Sequence, residues 1–334
     1  MKAIALISGG LDSLLAARLI QEQGIEVIPL YFKIPFCQGG KKNLSGKKEG
    51  LKERLAVSGL KLEVVDISNE FLGLIINPRH GFGSHMNPCI DCKILMLNKA
   101  RELLAGFRAS FIVTGEVLGQ RPMSQHRQAL ELIEKGSGLE GLLVRPLSAK
   151  LLGETIPEKE GWLVRAKLMD FNGRSRRPQI ELAAALEIKD YPNAAGGCLL
   201  TDPEFSGRLK ELIAHRELNV ANLELLKFGR HFRLAPEAKL IVGRDERENN
   251  LIMDMAQEGN YLFQPSQDLA GPTSLGAGIF NEEIIKLACG IICRYCDLNG
   301  RRSTRISYRK IPEREDRSFE SGVIDNNRLK GLRI

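Results

Sequence analysis

The segment that decides the fold is residues 2–23, KAIALISGGLDSLLAARLIQEQ. Residues 2–8 form a short apolar run that is typical of a β-strand. Residues 12–23 carry leucine and isoleucine at helical spacing, which predicts an α-helix. The hexapeptide SGGLDS, residues 8–13, therefore follows a strand directly and opens a helix.

This position between strand and helix suits a phosphate group. Glycines let the main chain approach an anion closely, and the N–H groups and dipole at a helix start then hold it. Ser8 and Ser13 carry hydroxyl donors, and Asp12 has the oxygen ligands that Mg²⁺ prefers. The loop contains no lysine, so it is not a Walker P-loop. The alternative is an ordinary tight turn in which Asp12 caps the helix. The predicted nucleotide-binding residues of the loop are Ser8, Gly9, Gly10, Leu11, Asp12 and Ser13.

Strand patterns alternate with helical patterns over the first part of the chain, which predicts an α/β fold with a doubly wound parallel sheet. Ligands of such sheets bind beyond the carboxyl ends of the strands. We expect this domain to cover residues 1–215, with a helical and basic extension from about residue 146. The predicted strands are residues 2–8, 26–32, 60–66, 109–114 and 141–144.

A smaller α+β domain is predicted for residues 216–334, where the pattern of strands and helices changes. The last part, residues 311–334, is highly charged, and we expect it to be partly mobile. The predicted strands are residues 228–234, 239–243, 261–264 and 303–309, and the predicted helices are residues 245–257 and 281–297.

Composition limits the function classes. A length of 334 residues suits two domains, and no apolar stretch is long enough for a membrane span. The amino-terminal apolar run is too short for a signal peptide, so we expect a cytoplasmic protein with no membrane partner. The net charge of +7 favours polyanionic partners. It does not predict an oligomeric state.

The seven cysteines are an odd number, which argues against a disulfide framework. Cys89 and Cys92 precede a helical pattern, and Cys198 lies about a hundred residues further along. A thiolate at a helix start has a lowered pKa, which favours metal ligation or nucleophilic chemistry. A second group lies at helical spacing on one face, and we expect it to pack in a core; it comprises Cys289, Cys293 and Cys296.

SGGLDS resembles the signature of the PP-loop ATP pyrophosphatases, which have the adenine nucleotide alpha hydrolase-like fold. The resemblance implies an enzyme that binds ATP and Mg²⁺, cleaves ATP between the α and β phosphates and adenylates a carbonyl or carboxyl oxygen. It also implies that Phe32 and Lys33, at the end of the second strand, lie near the adenine, and that Gly115, after the fourth strand, lies near the nucleotide.

NPCIDCK, residues 87–93, resembles the NPCxxCN segment of tRNA 2-thiouridine synthases, with Lys93 in place of Asn. Two mechanisms fit the three cysteines Cys89, Cys92 and Cys198. They bind a [4Fe–4S] cluster whose open iron carries sulfur, or one carries a persulfide that another releases as a disulfide. The alternatives are buried core cysteines or a zinc site completed by His80 and His85.

Together the motifs imply a tRNA sulfurtransferase that adenylates a uridine carbonyl and replaces its oxygen with sulfur, giving 4-thiouridine or 2-thiouridine. The sulfur donor is sulfide or a persulfide carrier protein. We also consider a PP-loop synthetase or amidotransferase acting on a small carboxylate, and an RNA-binding protein with a vestigial nucleotide site.

Two basic regions are candidate RNA contacts in the first domain. The loop at residues 114–125 looks like the substrate-side loop of the thiolases, and solvated side chains are the alternative for each arginine. The candidates are Arg121, Arg127, Lys167, Arg174, Arg176 and Arg177.

The carboxy-terminal domain resembles the NFACT RNA-binding domain at FGRHFR, residues 228–233, and at IVGR, residues 241–244. This implies RNA contacts by Arg230, Arg233 and Arg244. A structural or dimerisation domain is the alternative.

Overall fold

The computed structural model describes residues 1–36, 61–188, 191 and 198–334. The chain divides into two compact units, Met1–Asp202 and Pro203–Ile334. This division lies earlier in the chain than the boundary predicted between residues 215 and 216. Within the described ranges, no helix combines the length and the apolar character needed to cross a bilayer.

The first unit is built on a five-stranded sheet in the order β3-β2-β1-β4-β5, with every pair parallel. β1 lies at the centre, where Ala3 pairs with Val27 on one side and with Phe111 on the other. The strands are β1 Lys2–Leu6, β2 Glu26–Lys33, β3 Glu63–Asp66, β4 Phe111–Thr114 and β5 Leu143–Val144.

Helices cover both faces of this sheet. Successive side chains of a strand point to opposite faces, so each strand contributes to the apolar core on either side. In β1, Ala3 and Ala5 belong to one apolar core and Ile4 belongs to another. The structure confirms the doubly wound parallel sheet. The main helices are α1 Leu11–Gln21, α2 Ser68–Ile76, α3 Cys89–Phe107 and α4 Arg127–Gly136.

The segment that follows β5 adds no strand to this sheet in its described residues, as predicted for the extension. It contains the short helices α5 Ile156–Lys159 and α6 Arg177–Ala185, and α6 packs on α1 through apolar residues such as Leu182 and Ala183. Before α6 it contacts the loop after β4, where the Gly173 N–H donates to the Leu118 carbonyl at 2.7 Å.

The second unit is a six-stranded antiparallel sheet in the order β11-β10-β8-β9-β7-β6, which confirms an α+β domain. The strands are β6 Arg230–Ala235, β7 Ala238–Val242, β8 Tyr261–Pro265, β9 Ser274–Gly278, β10 Ser303–Lys310 and β11 Arg317–Gly322. The helices are α7 Pro203–Ala214, α8 Val220–Leu225, α9 Glu246–Asp254, α10 Glu282–Cys293 and α11 Asn326–Leu332.

The second group of cysteines lies on α10 and just beyond its end. Cys289 and Cys293 are fully buried, and both Cys289 and the half-buried Cys296 pack in the core beneath this helix. Burial raises the pKa of Cys289 to about 12. The prediction that these cysteines serve core packing is confirmed for Cys289 and Cys293.

Two features of this unit differ from the sequence predictions. The SLGAG segment of β9 has no apolar alternation, and it becomes a strand because it pairs with both β7 and β8. The charged tail at residues 311–334, predicted to be partly mobile, contains β11 and α11. β11 is an edge strand, and its charged residues are compatible with exposure on one side.

Candidate active site

The SGGLDS loop joins β1 to α1 in a conformation that leaves the helix start open. Gly9 has a φ of 80°, and Gly10 is the N-cap residue with no side-chain cap hydrogen bond. The loop is fixed from within, since the Ser8 N–H donates to Ser13 Oγ at 3.2 Å and Ser13 Oγ donates to the Gly10 carbonyl at 2.8 Å. The alternative in which Asp12 caps the helix is therefore wrong.

Asp12 lies in the first turn of α1 with one carboxylate oxygen unsatisfied. Gln120 Nε2 donates to its Oδ2 at 3.1 Å, while Oδ1 is buried without a hydrogen-bond partner. Burial raises the pKa of Asp12, and Gln120, Arg176 and Arg121 oppose that rise. An orphaned carboxylate oxygen beside a phosphate-type loop fits a Mg²⁺ ligand.

Gly115 lies immediately after β4 and packs directly on the SGGLDS loop. A Cβ at this position would lie 2.5 Å from both the Asp12 carbonyl carbon and the Ser13 nitrogen. Only glycine allows this approach. The contact lies between β1 and β4, where the strand order reverses and doubly wound sheets bind ligands.

Phe32 and Lys33 end β2 at the same edge of the sheet. Phe32 is buried in the core, whereas Lys33 is exposed and forms an ion pair of 2.6 Å with Asp66 at the end of β3. Partial burial of Asp66 is outweighed by hydrogen bonds from Lys33 and Ser68, which lower its pKa to about 2. Their predicted proximity to the adenine stays a prediction.

A buried charge network, which the sequence did not predict, lies behind Gly115. Glu116 is almost fully buried and pairs with Arg145 at 3.1 Å and with Lys93 at 3.4 Å. Burial would raise the pKa of Glu116, but the two cations and Thr114 together lower it. The one signal in the sequence is Lys93, which replaces the Asn of the related motif and supplies a charge from α3.

Cys89 is the first residue of α3. Its Sγ donates to Ser124 Oγ at 3.3 Å, and Ser124 is fully buried. Cys92 follows in the first turn of the same helix. The predicted placement of the cysteine pair at a helix start is therefore confirmed.

The segment that carries Cys198 is tied to the same edge of the sheet. The Leu199 N–H donates to the Phe36 carbonyl at 3.3 Å, just beyond β2, and Cys198 Sγ donates to the same carbonyl at 3.7 Å. The Leu200 carbonyl accepts from the Met86 N–H at 3.1 Å, just before α3. Two short links therefore join this segment to the two sides of the predicted site.

No three His, Cys, Asp or Glu side chains among the described residues are arranged to hold a metal ion. In this arrangement the three thiols do not fit a [4Fe–4S] cluster, and the cluster stays a prediction. The zinc alternative gains no support either. His80 instead binds Asp91 through its ring Nδ1 at 2.7 Å and its N–H at 2.9 Å, and His85 is exposed.

The basic residues of the first unit divide into paired and unpaired groups. Arg127 donates to the Leu151 carbonyl at 2.9 Å, and Arg177 forms an exposed ion pair with Glu181 at 2.8 Å. Arg121 and Arg176 instead place their charges near Asp12. Lys167 and Arg174 are exposed in the extension.

The three candidate arginines of the second unit all have partners within that unit. Arg230 lies 4.4 Å from the centre of the Tyr295 ring and donates to the Gly243 carbonyl. A second arginine is largely buried between two carboxylates: Arg233 pairs with Glu211 and Glu217. Arg244 pairs with Glu248 at 2.6 Å. Their predicted RNA contacts stay predictions.

Two protein families match separate parts of the chain. Residues 1–151 match the family described as thiamine biosynthesis protein (ThiI). Residues 229–331 match the NFACT protein RNA binding domain. The two matches fall in the two structural units.

Individual relatives match part of the chain. A probable tRNA sulfurtransferase of Thermococcus kodakarensis is 29% identical over 147 residues, which are 44% of this chain and 36% of the relative. A tRNA-specific 2-thiouridylase MnmA of Pelobacter propionicus is 34% identical over 112 residues, 30% of each chain. The chain thus spans about a third of the length of these curated relatives.

Among solved structures, the crystal structure of a 4-thiouridine synthetase–RNA complex with bound ATP aligns at a TM-score of 0.36 and 20% identity. The alignment covers 56% of this chain and 51% of that one. The C-terminal part of a fibronectin/fibrinogen-binding protein from Streptococcus suis aligns at a TM-score of 0.28 and 11% identity, covering 84% and 100%. The chain therefore combines an amino-terminal segment similar to the ThiI family with a carboxy-terminal segment similar to the NFACT RNA-binding domain.

Proposed function

We propose that this protein is an ATP-dependent tRNA sulfurtransferase, which adenylates a uridine carbonyl oxygen and replaces it with sulfur. One observation carries the proposal. The loop after β4 contacts the SGGLDS loop through Gly115 and Gln120, and it contacts Cys89 through Ser124. ATP activation and thiol chemistry therefore share one structural element.

The first step activates the uridine. Its carbonyl oxygen attacks the α-phosphorus of ATP, the bond from that phosphorus to the bridging oxygen breaks, and pyrophosphate leaves. The open helix start of α1 binds phosphate oxygens through its N–H groups. Asp12 would hold Mg²⁺, which when bound neutralises phosphate charge.

The second step replaces the oxygen. A persulfide on Cys89 attacks the activated carbon with its outer sulfur, the carbon–oxygen bond breaks, and AMP leaves with that oxygen. A second cysteine thiolate, from Cys92 or Cys198, then attacks the inner sulfur of Cys89. The sulfur–sulfur bond breaks, the thiocarbonyl is released and a disulfide forms. A persulfide carrier protein supplies the sulfur, and an external dithiol reduces the disulfide.

Two features support Cys89 as the sulfur carrier. It is the first residue of α3, and its Sγ lies at hydrogen-bond distance from the loop that also touches the ATP site. The links from Phe36 and Met86 to the Cys198 segment support Cys198 as the second cysteine.

The RNA substrate is supported by the match of residues 229–331 to an RNA-binding domain and by the net charge of +7. The similarity of part of the chain to proteins named tRNA sulfurtransferase and 2-thiouridylase supports tRNA in particular.

The proposal is tested by incubating the full chain with ATP, Mg²⁺, unmodified tRNA and a persulfide carrier charged with sulfur. We expect AMP, pyrophosphate and a thionucleoside in equal amounts, and the digested tRNA identifies 2-thiouridine or 4-thiouridine. Asp12→Asn should abolish all three products. Release of ADP, or AMP formed on a small carboxylate without tRNA, would overturn the proposal.

Anaerobic purification distinguishes the mechanism with an iron–sulfur cluster from the mechanism with a persulfide. We expect iron-free protein to thiolate tRNA with a persulfide donor. A brown protein whose activity and iron are lost together in Cys89→Ala and Cys198→Ala would favour the cluster instead.

A further inference from the structure

The SGGLDS loop contains no Lys or Arg, although the polyphosphate of ATP is strongly anionic. Backbone N–H groups orient phosphates, but cationic side chains usually balance their charge. Those cations must come from other segments of the chain. Two arginines lie on segments that are fixed next to this loop. Arg121 follows Gln120, which donates to Asp12, and Arg176 immediately precedes α6, which packs on α1. The charges of both act on the Asp12 carboxylate.

Arg121 belongs to the loop after β4 and directly follows Gln120 in the chain. Gln120 Nε2 donates to Asp12 Oδ2 at 3.1 Å, so the main chain at this point is fixed relative to the SGGLDS loop. The Arg121 side chain is exposed.

Arg176 reaches the same place from the extension, immediately before α6. The main chain leading to it is held by Ser148, which is fully buried. Ser148 Oγ donates to the Phe171 carbonyl at 2.6 Å and accepts from the Leu118 N–H at 2.9 Å. Packing of α6 on α1 fixes the other side of Arg176. These contacts fix Arg176 relative to both α1 and the loop after β4.

Neither guanidinium is occupied elsewhere in the described part of the chain, where no carboxylate lies within ion-pair distance of Arg121 or Arg176. The neighbouring Arg177 is different, because it pairs with Glu181 on the exposed side of α6. Two unpaired arginines from separate segments beside a carboxylate are the arrangement expected around a bound anion with its metal ion.

We propose that Arg121 and Arg176 form a clamp for the polyphosphate tail of ATP, the part that leaves as pyrophosphate. This inference rests on the proposed function and deepens it. It reassigns both arginines from RNA to the nucleotide, and it gives the extension a role in completing the ATP site. Arginine suits this role, since its planar fork binds two phosphate oxygens at once.

The test measures binding of ATP, inorganic pyrophosphate and AMP, each with Mg²⁺, to the full chain without tRNA. We expect Arg176→Gln and Arg121→Gln each to weaken the binding of ATP and of pyrophosphate roughly tenfold or more. This is the effect of losing one charged hydrogen bond. AMP binding should change less than about twofold, because AMP lacks the tail. Arg177→Gln, one position away and already ion-paired, is the matched control and should bind ATP normally.

Thermal unfolding of each variant separates loss of the clamp from loss of the fold. Because neither guanidinium forms an ion pair with a described residue, we expect unchanged unfolding temperatures. Normal ATP binding by Arg176→Gln, an equal loss of ATP and AMP, or a loss of tRNA binding alone would overturn the clamp. A wild-type protein that binds no ATP would overturn the proposed function as well.

Discussion

Gly115 lies so close to Asp12 that a Cβ at Gly115 would be 2.5 Å from the Asp12 carbonyl carbon. The end of β4 is thereby pressed against the start of α1, and the SGGLDS loop is fixed by a contact with main-chain atoms. Flexible side chains move aside from an added methyl group, but this main chain cannot do so without shifting the loop.

We therefore expect Gly115→Ala to displace the SGGLDS loop and to reduce ATP binding at least roughly tenfold, with a stability loss of about 1–3 kcal/mol for overpacking. Calorimetric titration with ATP and thermal unfolding measure the two effects. Gly106→Ala in α3 is the control, since nothing lies within 4 Å of its added Cβ. It should bind ATP normally and gain up to about 1 kcal/mol. Unimpaired ATP binding by Gly115→Ala would contradict the account of this contact.

Glu116 gives a prediction for stability and its pH dependence. Glu116→Gln leaves Arg145 and Lys93 without their buried partner, so we expect a loss of about 3 kcal/mol or more in the free energy of unfolding. The folded pKa of Glu116 is lowered. Its stabilising contribution is therefore present above the ordinary pKa of a glutamate and is lost as the pH falls through the lowered value.

Denaturant unfolding at several pH values measures this difference between wild type and Glu116→Gln. The difference in the free energy of unfolding between the two proteins should be largest at neutral pH and should decrease only in acid. Glu181→Gln, which removes an exposed ion pair with Arg177, should leave the free energy of unfolding nearly unchanged. If this difference in the free energy of unfolding is unchanged down to strongly acidic pH, the Glu116 charge does not stabilise the fold.

Much of this arrangement was predictable from sequence, and the reasons for the exceptions are physical. Apolar runs and helical spacing identify β1 and α1, because burial on two faces of a sheet leaves a periodic pattern. Glu116 and Arg145 leave no such pattern, since their pairing depends on strands that meet only in the folded chain. The same holds for Ser124, whose contact with Cys89 spans 35 positions. β9 was missed because its partners, and not its own residues, make it a strand.

Arg233 illustrates why single arginines are hard to interpret from sequence. It lies on a strand of a domain that resembles an RNA-binding module, yet it pairs with Glu211 and Glu217. We expect Arg233→Gln to destabilise the protein by about 3 kcal/mol, because two partly buried carboxylates lose their shared partner. Thermal unfolding measures the loss. If stability is unchanged while tRNA affinity falls in a gel-shift assay, the arginine is an RNA contact instead.

The two groups of cysteines should differ in reactivity. Burial raises the pKa of Cys289 to about 12, so its thiolate is scarce at pH 8 and its side chain is inaccessible. Cys89 is partly exposed at a helix start. We expect iodoacetamide to label Cys89 at least roughly tenfold faster than Cys289 in the folded protein, as measured by peptide mass spectrometry. If Cys89 and Cys289 of the folded protein are labelled at the same rate, and that rate equals the rate in denatured protein, the result is inconsistent with the structure.

The central claim is that one loop brings ATP activation and the Cys89 thiol to the same uridine. Its most direct test is a comparison of Cys89→Ala with wild type in tRNA-dependent exchange of labelled pyrophosphate into ATP and in thionucleoside formation. We predict that the variant retains exchange, because adenylation uses the SGGLDS loop, but forms no thionucleoside. Thionucleoside formation by Cys89→Ala at the wild-type rate, or its absence from the wild-type reaction, would contradict the account.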